Sequence, residues 1–193
     1  MQHLLDAKKL VSKIGELVTA VDLPGGDRPA LAGASYHIAL DHHEAIVRMV
    51  EAGVHVSALA LVRAQVEAFV RGAWIHHVAN DAEIAGVRND KDFPNQWKMI
   101  TDLEKKDMFA GEVLSKSHTA NWKSLHGLAH PGAGLIAMVL KDGNVERNCD
   151  EKYLISALKY TGVHAILAAG QIVVLANKPD AFEELMKLIV ELT

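Results

Sequence analysis

Residues 54 to 79, VHVSALALVRAQVEAFVRGAWIHHVA, leave the chain little choice of fold. The run has no proline and is long enough for about seven helical turns. Gly72 interrupts it at a cost of about 1 kcal/mol relative to alanine, which a packed helix tolerates. Leu59, Val62, Val66, Phe69 and Ala73 recur at steps of three and four and predict one core-facing stripe. Leu61, Ala64, Ala68 and Ile75 make a second apolar face beside it. A helix that is apolar most of the way round belongs in the middle of a bundle. One line breaks that pattern: Arg63, Glu67 and Arg71 step by four, so a charged seam runs down the rod.

The rest of the chain supplies helices to surround it. Residues 2 to 20 read as an amphipathic opening helix with Leu4, Leu5, Val11, Ile14, Leu17 and Val18 on one side. DLPGGDRP breaks it, and a second helix runs from about residue 29 or 30 to 52, closed by Gly53. Asn80 and Asp81 stop the central helix and can cap a short one over 82 to 88. After a polar loop, residues 96 to 106 predict a helix with Trp97, Ile100 and Leu103 inward, and 111 to 131 another. Pro131 disfavours helix at His130. Residues 134 to 148 read as an irregular or partly helical link. A long apolar helix follows over about 150 to 177, with Asn148 and Glu151 as a capping box. Asp180 and Glu183 open the last helix in the same way. The expected architecture is all-α, a single-domain bundle of six or seven helices over residues 1 to 193.

Bulk chemistry narrows the function. A net charge of −4 gives no basic footprint for stable duplex DNA binding. The single cysteine, Cys149, has no internal disulfide partner and suits a reducing compartment. MQHLLDAKKL lacks the pattern of a secretory signal, and the apolar run Val163 to Ala176 is short for a membrane span. The expected location is the cytoplasm, off the membrane. Phosphate-cradling glycine loops, nucleophile elbows and dinucleotide fingerprints are missing, which argues against hydride-transfer and P-loop enzymes.

Two constellations could carry chemistry. Along the seam, Glu67 can pair with the guanidinium one turn away on either side. The line reads as an exposed salt-bridged stripe, as a stripe pairing across a homodimer, or as the wall of a polar pocket. Val56, Ala60, Val70 and Trp74 lie near it, and charges in such surroundings need partners from another helix or a ligand. In NWKSLHGLAHPG, residues 121 to 132, His126 and His130 stand four apart and can face the same way. The zinc motif HExxH is not met, since Gly127 stands where its base would be, and no metal or cofactor is expected. In DHHE, residues 41 to 44, His42 and His43 point about 100° apart, and the tandem His76-His77 has the same limitation.

The pieces HHEAIVRMVEAGVHVSALALVRAQVEAFVRGAWI, DFPNQWKMITDLE and NWKSLHGLAHPG resemble a bacterial all-helical family of unknown function, over residues 36 to 134. By motif position the resemblance implies importance for His43, Glu44, Arg63, Glu67, Arg71, Trp122, His126 and His130, without an activity. A looser similarity is to the HEPN superfamily of helical bundles, several of which are ribonucleases with an Arg-then-His pattern at a dimer cleft. Asn121 to His126 and Lys123 to His130 have the spacing, but no arginine stands there.

The sequence therefore predicts a cytoplasmic, homodimeric bundle whose polar site joins Arg63 and Glu67 to His126 and His130. Arg71, His43 and Trp122 are candidate binding residues, and the ligand is a small anion, a nucleotide or an RNA end. One alternative is a HEPN-like endoribonuclease of a toxin–antitoxin or phage-defence system, with a histidine moving protons and an arginine holding phosphate. Another is a structural or regulatory partner protein without catalysis.

Overall fold

The structure is a computed structural model that describes residues 2–19, 21–89, 91, 93–129, 133–141, 144–145 and 149–192. In chain order these form α1 (Gln2–Thr19), α2 (Asp27–Glu51), α3 (His55–His77), α4 (Asp81–Arg88), α5 (Gln96–Leu103) and a 3-10 turn (Asp107–Phe109). Then come α6 (Val113–Ala129), α7 (Ala133–Val139), the strands β1 (Leu140–Lys141) and β2 (Asn144–Val145), α8 (Glu151–Leu175) and α9 (Pro179–Leu192). The expected all-α bundle is what the chain forms. It has nine helices among the described residues, because α4, α5 and α7 are separate short pieces. The link over 134–148 contains α7 and a two-stranded antiparallel ladder pairing Leu140 with Val145 and Lys141 with Asn144.

α3 is covered by α2, α5, α6 and α8, as its all-round apolar surface requires. Leu59, Val62, Val66, Phe69 and Ala73 are all buried, as are Ala68 and Ile75 of the second face. The amphipathic α1 turns Ala7, Leu10, Ile14 and Val18 inward, while Leu5, expected on the same face, is 49% exposed. In α5 the inward residues are Met99, Ile100 and Leu103. Trp97 is 48% exposed, because its ring leans toward His118 of α6, 5.5 Å away, and not into the core.

Local chemistry sets the helix ends. The Asn80 side chain accepts from Glu83 N at 3.0 Å while Glu83 accepts from Asn80 N at 2.8 Å, a complete capping box at the start of α4. α2 ends with Gly53 at φ 74°, Gly53 N donating to Val50 O and Val54 N to Met49 O. α8 ends the same way at Asn177, φ 53°, with Asn177 N on Val174 O and Lys178 N on Val173 O. Both are Schellman closures, one using glycine and one the residue that next best tolerates the left-handed region. At the start of α8 the cap is Asp150, which accepts from Lys152 N, and Asn148 lies outside the described residues. α9 begins at Pro179, which takes the first helical position, where its missing N–H costs nothing, so Asp180, expected as the cap, lies inside the first turn.

α8 is longer than its apolar run suggested: with 25 residues and a mean hydropathy of 1.4 in its most apolar window, it could cross a bilayer by length and composition. In this fold 61% of that window is buried, packed against α1, α2, α3 and α9.

Gly72 has a packing reason to be in α3. A methyl group built there would sit 2.7 Å from both Cδ1 and Cε1 of Tyr36 and 3.2 Å from Ser35 Cβ. Tyr36 is fully buried, and its ring lies 6.4 Å from that of Phe69, so it has no room to withdraw. Gly72→Ala should therefore destabilise the protein by about 1–3 kcal/mol through overpacking, reversing the helix-propensity gain of about 1 kcal/mol. Urea unfolding measures it; a stabilised variant would show that the helices are not held at this distance.

Candidate functional site at the α3–α6 junction

The seam becomes a site because α6 is laid across it. Leu125, the buried residue of α6, packs in the same apolar cluster as Val62 and Val66 of α3. The Glu104 carboxylate accepts from Ser115 N at 2.9 Å, so the residue that ends α5 caps the first turn of α6 from outside. With α6 held there, Trp122 and His126, one turn apart, come to the position of Arg63.

Among the described residues Arg63 meets a carboxylate, an imidazole and an aromatic face. Its Nε donates to Glu67 Oε1 at 2.7 Å, its Nη1 lies 2.6 Å from His126 Nδ1, and its Cζ sits 4.6 Å from the centre of the Trp122 ring. A guanidinium only donates, so Nδ1 of His126 is the acceptor and the neutral imidazole carries its proton on Nε2. Glu67 uses its other oxygen to accept from Arg71 Nη2 at 3.2 Å. The Arg71 guanidinium in turn lies 5.4 Å from the Phe93 ring centre. Side-chain exposure is 22% for Arg63, 19% for Glu67 and 41% for Arg71. This is a half-buried network with aromatic faces, not a solvated stripe.

The aromatic side continues beyond Trp122. His118 stacks on it at 4.3 Å and 22°, and Trp97 stands 5.5 Å from His118. Arg63, Trp122, His118 and Trp97 thus form a column running from α3 through α6 to α5. His118 Nε2 is buried without a partner, and desolvation lowers the pKa of the ring. Sequence reasoning missed His118 and placed Trp97 inside. The available signal was the spacing of His118, Trp122 and His126, which step by four along one face of α6.

The expected residues thus divide. Arg63, Glu67, Arg71, Trp122 and His126 meet in one place, and His130 lies outside the described residues. His43 is elsewhere: it is 1% exposed between α2 and α8, with Nδ1 3.2 Å from Thr161 Oγ1. Thr161 Oγ1 donates to Ala157 O at 2.8 Å, so it accepts from His43 Nδ1–H, and His43 Nε2 is a buried lone pair without a partner. Gln65, also fully buried, donates from Nε2 to Thr161 O at 2.9 Å. Glu44 instead pairs with Arg48 on α2. His76 and His77 are half-buried, their rings 3.8 Å apart, with His77 Nε2 2.6 Å from Gln171 Oε1. Cys149 is buried, and desolvation with the neighbouring Asp150 pushes its thiol pKa up, away from the reactive thiolate. Among the described residues, no group of three or more His, Cys, Asp or Glu is placed to hold a metal ion.

Fold and site together define a helical bundle with a cation–aromatic polar junction between its central helix and α6. The chain belongs to a family of unknown function, DUF6988, whose match covers residues 36–193. That match starts where the sequence resemblance starts and extends past it through α7, α8 and α9. No curated protein and no solved structure matches the chain.

The histidines make stability depend on acidity. Burial pushes the pKa of His43 down to about 4, and that of His76 to about 4 with the help of His77. His42, His77, His118 and His164 shift in the same direction. Once unfolded, each returns to the ordinary value near 6.5, so below that pH the unfolded chain binds more protons than the folded one. Their contribution is complete above about pH 6.5 and is lost as the pH falls toward 4, with His43 alone accounting for on the order of 3 kcal/mol. Unfolding free energies in urea should therefore fall steadily from pH 7 to 4.5. His43→Gln should show a shallower slope, by up to one proton. A flat wild-type profile is the contrary result.

Proposed function

We propose that the α3–α6 junction binds a small anion carried on or beside a flat ring: a nucleotide or the end of an RNA strand. The observation that carries this reading is the Arg63 guanidinium, held between the Glu67 carboxylate, the Trp122 face and His126 Nδ1. Two guanidiniums share one carboxylate along the seam, so it favours negative charge. Base stacking on an aromatic side chain contributes about 1–3 kcal/mol and tolerates any base, and Trp97, 48% exposed at the outer end of the column, offers such a surface. The fixed geometry of Arg63 matters because an arginine already oriented loses less freedom when it meets a phosphate.

A second reading is metal-independent RNA cleavage, favoured by one distance. An arginine missing from the local Arg-then-His spacing is supplied from another helix, 2.6 Å from the His126 ring. In this reading Arg63 holds the phosphate, and His126 moves a proton through Nε2.

One titration series tests both. AMP and a short 5′-phosphorylated RNA should bind with affinity that falls as salt rises, and Arg63→Ala and Trp122→Ala should each weaken binding about tenfold or more, a loss near 1.4 kcal/mol. If neither ligand binds the wild type at millimolar concentration, the site reading fails and a partner protein without catalysis takes its place. RNA that stays intact with excess protein in EDTA removes the nuclease alone; cleavage lost in His126→Ala supports it.

We also propose that the protein is a cytoplasmic homodimer. What supports the dimer is an apolar strip on one side of α8 and α9, where Val163, Leu167, Val174, Phe182 and Met186 are 41–54% exposed. Light scattering should give twice the chain mass, and Leu167→Glu should return a folded monomer. A wild-type monomer at about 100 μM, a concentration sufficient for any dimer tighter than that, removes the idea.

A further inference from the structure

The column from Arg63 to Trp97 is longer than one nucleotide. His118 and His126 stand eight residues apart on one face of α6, about 12 Å along the helix axis. Trp97 meets the first, with 5.5 Å between ring centres, and Arg63 meets the second, 2.6 Å from Nδ1. The exposed indole and the guanidinium are thus two ends of a track, with Trp122 stacked on His118 between them. A base and its own phosphate are separated by a single sugar, too short a link to touch both ends. Successive phosphates on a stacked strand advance about 3.4 Å along its axis, so a run of about three or four nucleotides covers the distance.

The outer side of α6 is suited to such a run. Leu125, on one flank of the column, is buried against α3, while Thr119 and Lys123, which step by four on the other flank, are exposed. Lys123 forms no ion pair among the described residues. Carboxylates on α3 and α5 are already engaged: Glu67 by Arg63 and Arg71, and Asp102 by Lys98 and Lys105. Trp97 is half-exposed on a helix whose Met99, Ile100 and Leu103 are buried. A large ring left in water in this way is typical of a contact surface.

We propose that this track holds a single nucleic-acid strand of about three or four nucleotides, with one base stacked on Trp97, a backbone phosphate beside Lys123 and another phosphate at Arg63. The proposal rests on the anion reading of the junction and adds the length and path of the ligand. A mononucleotide occupies only the Arg63 end, through its phosphate.

Calorimetric titration of AMP and of the 5′-phosphorylated adenosine di-, tri- and tetranucleotides tests it. Affinity should rise about tenfold or more from the mononucleotide to the tetranucleotide, then level off in longer chains. Trp97→Ala should remove that rise and leave AMP binding as in the wild type, and an unchanged urea midpoint shows that the variant is folded. Lys123→Ala should reduce the salt slope of tetranucleotide binding by roughly 0.7 and leave the slope for AMP alone. Arg63→Ala should weaken every member of the series. Equal affinity from one nucleotide to four overturns the proposal while the anion site stands. A Trp97→Ala loss that is the same for AMP and the tetranucleotide also overturns it, since one nucleotide would then reach both ends, and so does an unaltered salt slope in Lys123→Ala. If no member of the series binds, the anion reading fails and this proposal fails with it.

Discussion

Tyr36 lies against the bare backbone of Gly72, and the rest of the bundle depends on that contact. With no side chain at Gly72, α2 approaches α3 closely along its length, and one side of the central helix is closed without a gap. The remaining apolar sides must then be covered by α8, α5 and α6, since a rod apolar nearly all round has no face it can leave to water. The same approach fixes the buried polar groups between these helices. Tyr36 Oη reaches His76 Nδ1 at 3.4 Å, and His43 and Gln65 both meet Thr161 of α8. Each hydrogen bond satisfies a group that the close packing has removed from water.

The charged seam is the complement of that closure. α2 and α8 cover the core side of α3, and α6 reaches the line of Arg63, Glu67 and Arg71 with the two side-chain types a guanidinium can use, a flat ring and an imidazole nitrogen. Glu67 is divided between two arginines, one fixed on Trp122 and the other on Phe93. Charge, aromatic faces and burial therefore belong to one arrangement. Removing any member would leave the others with less than their full set of partners.

Helix period made much of this legible. The stripe from Leu59 to Ala73, the caps at Asn80 and the breaks at Gly53 and Asn177 follow from local residue chemistry, which reads directly along the chain. Arg63, Glu67 and His126 are legible as candidates because spacing by four gives a position around a helix, and Trp122 is a candidate through the family resemblance alone. Which helix lies opposite is a long-range matter: Arg63 and His126 are 63 residues apart, and no local pattern encodes their contact. The same limit explains the misreadings. His43, expected as a binding residue, is a core residue by its partner Thr161, and Trp97, expected inward, leans outward on His118.

The family match begins at residue 36, in the middle of α2, at the tyrosine that rests on Gly72. What precedes it is not an appendage. Leu10, Ile14 and Val18 of α1 belong to the main buried cluster, and Leu10 fills the space beside Gly162 of α8. A boundary drawn from sequence likeness would cut a helix in half and strip α1 from α8, uncovering apolar surface on the longest hydrophobic element of the chain. The stretch that the family model matches and the stretch that packs as one bundle are therefore different lengths of this polypeptide.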